Sequence, residues 1–93
     1  MQIRLSKQAY EELEAIFTLI AEDKPNVAKE FKKEFVSFFE LIASNPTIGK
    51  ECEKKRIHAE CRVVVFRKNY LIIYKVLSDR ILIRTIKNTK QFK

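Results

Sequence analysis

The sequence predicts an α+β fold of two layers, a helical hairpin packed on an antiparallel sheet, in the order β-α-α-β-β-β. Three observations carry this prediction. Apolar residues recur at three-to-four spacing through residues 7–44, the period of helices that bury one face, and the pattern then changes to short β-branched and aromatic runs from Cys61 onward. Those later runs are separated by connections of hairpin length, Arg67-Lys68-Asn69 and Leu77-Ser78-Asp79-Arg80. A chain of 93 residues and 11.0 kDa is long enough for one core and too short for two, so residues 1–93 form a single domain.

Each element follows from its own residues. Ile3 and Leu5 alternate with Gln2 and Arg4, the signature of a short half-buried strand, and Ser6 stands where a helix N-cap hydroxyl serves. Tyr10, Leu13, Ile16, Phe17 and Ile20 line one side of a first helix reaching about Glu22. Asp23-Lys24-Pro25-Asn26 breaks it, with Pro25 suited to the first turn of a second helix. In that helix Ala28, Phe31, Phe35, Phe38 and Ile42 form an aromatic stripe, while Val27, Val36, Phe39 and Leu41 lie off it. The surplus suggests a patch covered by a partner. Ser44-Asn45-Pro46 ends the helix, Gly49 marks a turn, and Lys50 to Lys55 reads as a charged connector. Cys61 to Phe66, Tyr70 to Val76 and Ile81 to Ile86 then form a meander. A fourth pairing comes from Arg56 to Ala59 or from the amino-terminal strand, the latter being expected.

Composition narrows the function. Apolar residues make up 46% and charged residues 33%, a globular balance, and one glycine with two prolines excludes low-complexity repeats. The longest apolar runs, Val63 to Phe66 and Tyr70 to Tyr74, fall far short of the roughly 20 residues a membrane helix needs. The opening Met-Gln-Ile-Arg-Leu-Ser has no secretory character, so a cytosolic, reducing setting is expected. Cys52 and Cys61 flank His58 at a spacing that fits no zinc motif, and the expected state is two reduced thiols with a surface histidine. Neither a metal nor a cofactor is expected.

Charge is distributed unevenly. Residues 1–49 carry eight acidic and six basic groups, whereas residues 50–93 carry thirteen basic and four acidic ones. Such a cationic half suits a polyanion or an acidic protein partner. No catalytic constellation is present: there is one histidine, no glycine-rich phosphate loop, and the serines sit at caps, turns or mid-helix. The helical glutamates read as solvated faces, with Glu30 paired to Lys33. There remains a basic sheet, Arg62, Arg67, Lys68, Lys75, Arg84, Lys87 and Lys90, interleaved with Tyr70, Tyr74 and Phe92. It either grips RNA phosphates and stacks bases, or is a polar outer face on which the tyrosines simply pack.

At this point the residues resemble a known family. The opening strand and helix with Ala9, the helical hairpin, Asn45-Pro46-x-x-Gly49, Asn69-Tyr70-x-x-x-Tyr74 and the closing Ile81-Leu82-x-x-x-Ile86-Lys87-Asn88-Thr89-Lys90-Gln91 are similar to the RelE/ParE superfamily of bacterial type II toxins. The resemblance implies a small cytosolic toxin neutralised by an acidic, partly disordered antitoxin. In the RelE-like branch, sheet cations support cleavage of mRNA on the ribosome. Here Arg62 matches one such place, but Val64 and Leu71 stand where further cations belong, Asn88 falls near the final arginine, and Phe92 lacks the tyrosine hydroxyl. The chain therefore looks more like the ParE branch, which implies poisoning of DNA gyrase by binding. The target-binding candidates are Arg62, Arg67, Lys68, Arg84, Lys87, Asn88 and Lys90, and Val36, Phe39 and Leu41 are the antitoxin-binding candidates. The alternatives are a ribosome-dependent nuclease using Arg62, Arg84 and Lys87, and a non-toxic binding module.

Overall fold

A computed structural model describes residues 1–52 and 61–89. His58, Lys90, Phe92 and the alternative strand over Arg56 to Ala59 lie outside the described residues. The chain runs β1 (Gln2–Leu5), α1 (Lys7–Asp23), α2 (Pro25–Ser44), β2 (Lys50–Glu51), β3 (Cys61–Phe66), β4 (Tyr70–Val76) and β5 (Arg80–Asn88). The strands lie in the order β1-β5-β4-β3-β2, and both helices pack on the sheet. The predicted two-layer α+β arrangement holds, and the predicted elements occur in the predicted order with β2 added. The sheet itself is mixed, because β1 joins β5 in parallel, with Ile3 beside Ile81 and Leu5 beside Ile83. The helical hairpin returns the chain so that first and last strands point the same way.

The helices begin and end where local chemistry dictates. The Ser6 hydroxyl accepts a hydrogen bond from the Ala9 N–H at 3.0 Å, satisfying one of the orphan donors of the first turn. A single residue, Lys24 at φ −141°, separates α1 from α2. Pro25 drives this break, since its ring disfavours helical geometry in the preceding residue while suiting its own place in the first turn. From α2 the side chains of Ala28, Phe35, Phe39 and Ile42 are buried. Phe35, Phe39 and Ile42 join Ile72, Tyr74, Ile81, Ile83 and Ile86 from the sheet in one core. Phe35 is the hub: its ring lies 4.5 Å from that of Phe66, 5.2 Å from Phe31, and 5.7 Å from Tyr70. Phe39 is thus a core residue and not part of an exposed surplus, because it lies one turn beyond Phe35 on the same face. Val36 and Leu41 do remain exposed.

Two features of the β2–β3 corner differ from the sequence reading. The expected charged connector supplies a two-residue edge strand, with Lys50 opposite Val63 and Glu51 opposite Arg62. Charged side chains are compatible with an edge, where one side of the strand meets water. Cys52 and Cys61, expected as reduced thiols, are instead joined in a disulfide, their Cα atoms 5.5 Å apart. The hairpin register places them opposite each other, and the Cys52 N–H donates to the Cys61 carbonyl at 3.0 Å. Spacing along the chain carries no trace of that register.

The Asn45-Pro46-x-x-Gly49 turn and Tyr74 form one device. The Tyr74 hydroxyl donates to the Pro46 carbonyl at 2.8 Å and accepts from the Gly49 N–H at 3.0 Å. Arg62 donates from Nη1 to the Gly49 carbonyl at 2.8 Å, and its Nη2 lies 3.8 Å from Glu51. Both polar groups of Gly49 are thereby satisfied inside the protein, as burial requires.

Candidate contact surface

The sheet has two faces, and cross-strand register assigns the paired strand residues to one or the other. Val64, Phe66, Tyr70, Ile72, Tyr74 and Ile83 face the helices with the core. On the opposite, outer face, Val65 stands beside Leu71, Val63 beside Ile73, and Lys75 beside Leu82, which in turn neighbours Arg4. Lys50 extends the row from Val63. The outer face therefore has an aliphatic centre with cations at its margins, and none of these outer-face residues is acidic or aromatic. Val65 is 53% exposed at its middle.

This differs from the basic strip expected from sequence. Tyr70 and Tyr74 lie on the helix face, Tyr74 fully buried, so neither ring is presented on the outer face for base stacking. Arg62 shares the helix face with Tyr74 and is bound to the Gly49 carbonyl, so it does not join Arg84 in one strip. Arg84 is exposed, at the irregularity where Ile73 pairs with Thr85 and Tyr74 with Ile83. Arg67 and Lys68 occupy the β3–β4 turn, where Arg67 contacts both carboxylate oxygens of Glu34 at 2.5 and 2.6 Å. Asn88 ends β5 opposite Tyr70, half-buried. The sequence reading missed Arg4, Val63, Val65, Leu71, Ile73 and Leu82. A signal was available: Val63 to Phe66 and Tyr70 to Tyr74 are unbroken apolar runs, and a strand with one polar face alternates instead.

Lys87, opposite Leu71 in the sheet, is drawn into a cluster with α1. β1 ends at Leu5, so the β5 backbone beyond Ile83 loses its strand partner on that side. Side chains from α1 and its cap replace it. The Ser6 hydroxyl donates to the Arg84 carbonyl at 2.8 Å, and Glu12 Oε1 accepts from the Ile86 N–H at 3.0 Å and from Thr85 Oγ1 at 2.6 Å. Lys87 Nζ pairs with the other Glu12 oxygen. Burial alone would raise the Glu12 carboxyl, but the bonds from Lys87, Thr85 and Ile86 with the Lys87 charge outweigh it and hold it below its ordinary range. A carboxylate so engaged is a structural tie and not an available base. Its stabilising contribution is present above about pH 4.5 and is lost as pH falls through the depressed folded value. Glu12→Gln is expected to cost about 1–2 kcal/mol at neutral pH and to flatten the acid limb of the stability curve. Urea titrations of both proteins at several pH values between neutral and acidic check this.

The chain superposes on a structure described as the chromosomal ParDE TA system from P. aeruginosa with a TM-score of 0.76, at 16% identity and covering 95% of both chains. It also matches the YoeB dimer from Staphylococcus aureus with a TM-score of 0.58, at 19% identity and covering 94% of both chains. At such identities these likenesses establish the fold alone. No curated protein matches the chain by sequence. Residues 3–91 match the family described as the ParE toxin of the type II toxin-antitoxin system parDE, and the chain belongs to that family. No described helix is long and apolar enough to cross a membrane.

Proposed function

We propose that this chain is the toxin of a type II pair, acting in the cytoplasm, that arrests growth by docking its outer sheet face on a protein target, DNA gyrase, without cutting a substrate. One observation carries the reading: an aliphatic centre with marginal cations, with no ring or carboxylate among its described residues, suits an apolar and acidic protein surface better than a nucleic-acid strand, which favours stacking platforms. The nuclease alternative is weakened because two of its three cations are committed, Arg62 to Gly49 and Lys87 to Glu12. Val36 and Leu41, exposed on α2, are the part of the antitoxin-binding set that supports cover by a cognate antitoxin. Arg84, exposed beside the sheet, is retained as a target contact.

The test is induction followed by assay of purified protein. Growth arrest is expected, with gyrase supercoiling blocked and ribosome-bound mRNA intact. The double substitution Val65→Glu with Arg84→Glu, at two exposed positions, is expected to weaken supercoiling inhibition by about tenfold or more while the protein stays folded. Codon-specific mRNA cleavage by the wild-type protein would reject the reading.

A further inference from the structure

The β3–β4 turn holds two consecutive L-residues in the left-handed region, Arg67 at φ 52° and Lys68 at φ 65°. Side chains with a Cβ are strained there, and a turn shaped by folding alone favours Asn-Gly at such a pair. For Arg67 the strain has a visible offset. Its Nη1 donates to both Glu34 oxygens at 2.5 and 2.6 Å, and the guanidinium lies 5.4 Å from the Phe31 ring centre, tying the turn to α2. Lys68 has no such side-chain offset among the described residues. It is exposed, and among the described residues its ammonium has no ion-pair partner, while its carbonyl accepts from Thr89 Oγ1 at 3.2 Å. The Thr89 N–H also donates to the Asn69 carbonyl at 2.6 Å, so the end of β5 is seated on this turn. The strained, braced backbone therefore carries an exposed cation at the turn.

We infer that Lys68 is a contact residue that receives carboxylates of a protein partner, strain being retained at the turn because the ammonium is used in binding. The inference rests on the reading that the chain acts by protein contact. Acidic protein is favoured over nucleic acid because the rings nearest the turn are engaged with one another: Phe31 lies 5.5 Å from Tyr70 and 6.0 Å from Phe66, edge to face. Among the described residues, no ring at the tip is left as a stacking platform.

Three variants separate backbone from charge. Lys68→Gly relieves the backbone and removes the charge, Lys68→Gln removes the charge alone, and Lys68→Arg keeps it. The probe is a fluorescein-labelled decamer of glutamate, read by anisotropy at low salt, with a ten-nucleotide single-stranded RNA as competitor. Lys68→Gly is expected to melt about 2–5 °C higher than wild type. Both neutral variants should bind the peptide about fivefold more weakly, and Lys68→Arg should bind as wild type. Undiminished peptide binding by Lys68→Gln, no measurable binding by wild type, a clear preference for the RNA, or an unraised melting temperature in Lys68→Gly would each overturn the inference. These readouts use purified protein without any cellular target. Absence of growth arrest by the wild-type chain would therefore overturn the toxin reading separately.

Discussion

Phe35→Ala is expected to remove about 3–5 kcal/mol of stability, a large fraction of what a domain of this size holds. Phe35 has no solvent exposure, and its ring packs against Phe17, Phe31, Phe39, Phe66 and Tyr70. Truncation would leave a void bordered by rings, and rings held on two helices and two strands cannot all move inward to fill it. The melting temperature should drop by roughly 15–30 °C, with loss of cooperative unfolding if the remaining stability is small. Thermal melts followed by near- and far-UV circular dichroism check this. A drop of only a few degrees would show that the aromatic cluster is not the centre of the core. Val36→Ala is the natural control, since that neighbouring side chain is 51% exposed.

Gly49→Ala should cost about 3–4 kcal/mol, although the added group is one methyl. A Cβ at this position would sit 2.9 Å from both the Tyr74 hydroxyl oxygen and the Val63 carbonyl oxygen, and 3.0 Å from Tyr74 Cε1. The Val63 carbonyl is part of the sheet and the tyrosine is fully buried, so neither can yield easily. The glycine is required by close approach and not by its backbone angle. Displacing it also pulls the Gly49 N–H from Tyr74 and the Gly49 carbonyl from Arg62. Tyr74→Phe, which leaves that N–H without its acceptor and frees the Pro46 carbonyl, should cost about 1–3 kcal/mol. Because both changes disrupt the same contacts, the double variant should fall well short of their sum in urea denaturation. Additive losses would mean that the turn and the tyrosine act independently.

Much of the scaffold is legible in the chain. The Ser6 cap, the break before Pro25, and the spans Cys61–Phe66 and Tyr70–Val76 were all available from spacing and turn chemistry, because these signals act over a few residues. The parallel sense of β1, the short β2 and the disulfide were not, since each depends on register between segments distant along the chain. Phe39 illustrates a finer limit. A helix of 20 residues with four phenylalanines has more apolar positions than one stripe can hold, and only the opposing sheet selects those it buries.

By itself the sequence determined the element order, the concentration of positive charge in residues 50–93, and the family. Tertiary structure alone decided which of those charges remain for a partner. Arg62 reaches a carbonyl 13 positions away and Arg67 a carboxylate 33 positions away, while Lys87 meets Glu12 from the other end of the chain. Arg84 and Lys68 stay exposed. A cation looks the same in sequence whether or not a fold brings it an acceptor, because ion pairing and hydrogen bonding depend on distances in space that only the packed chain sets.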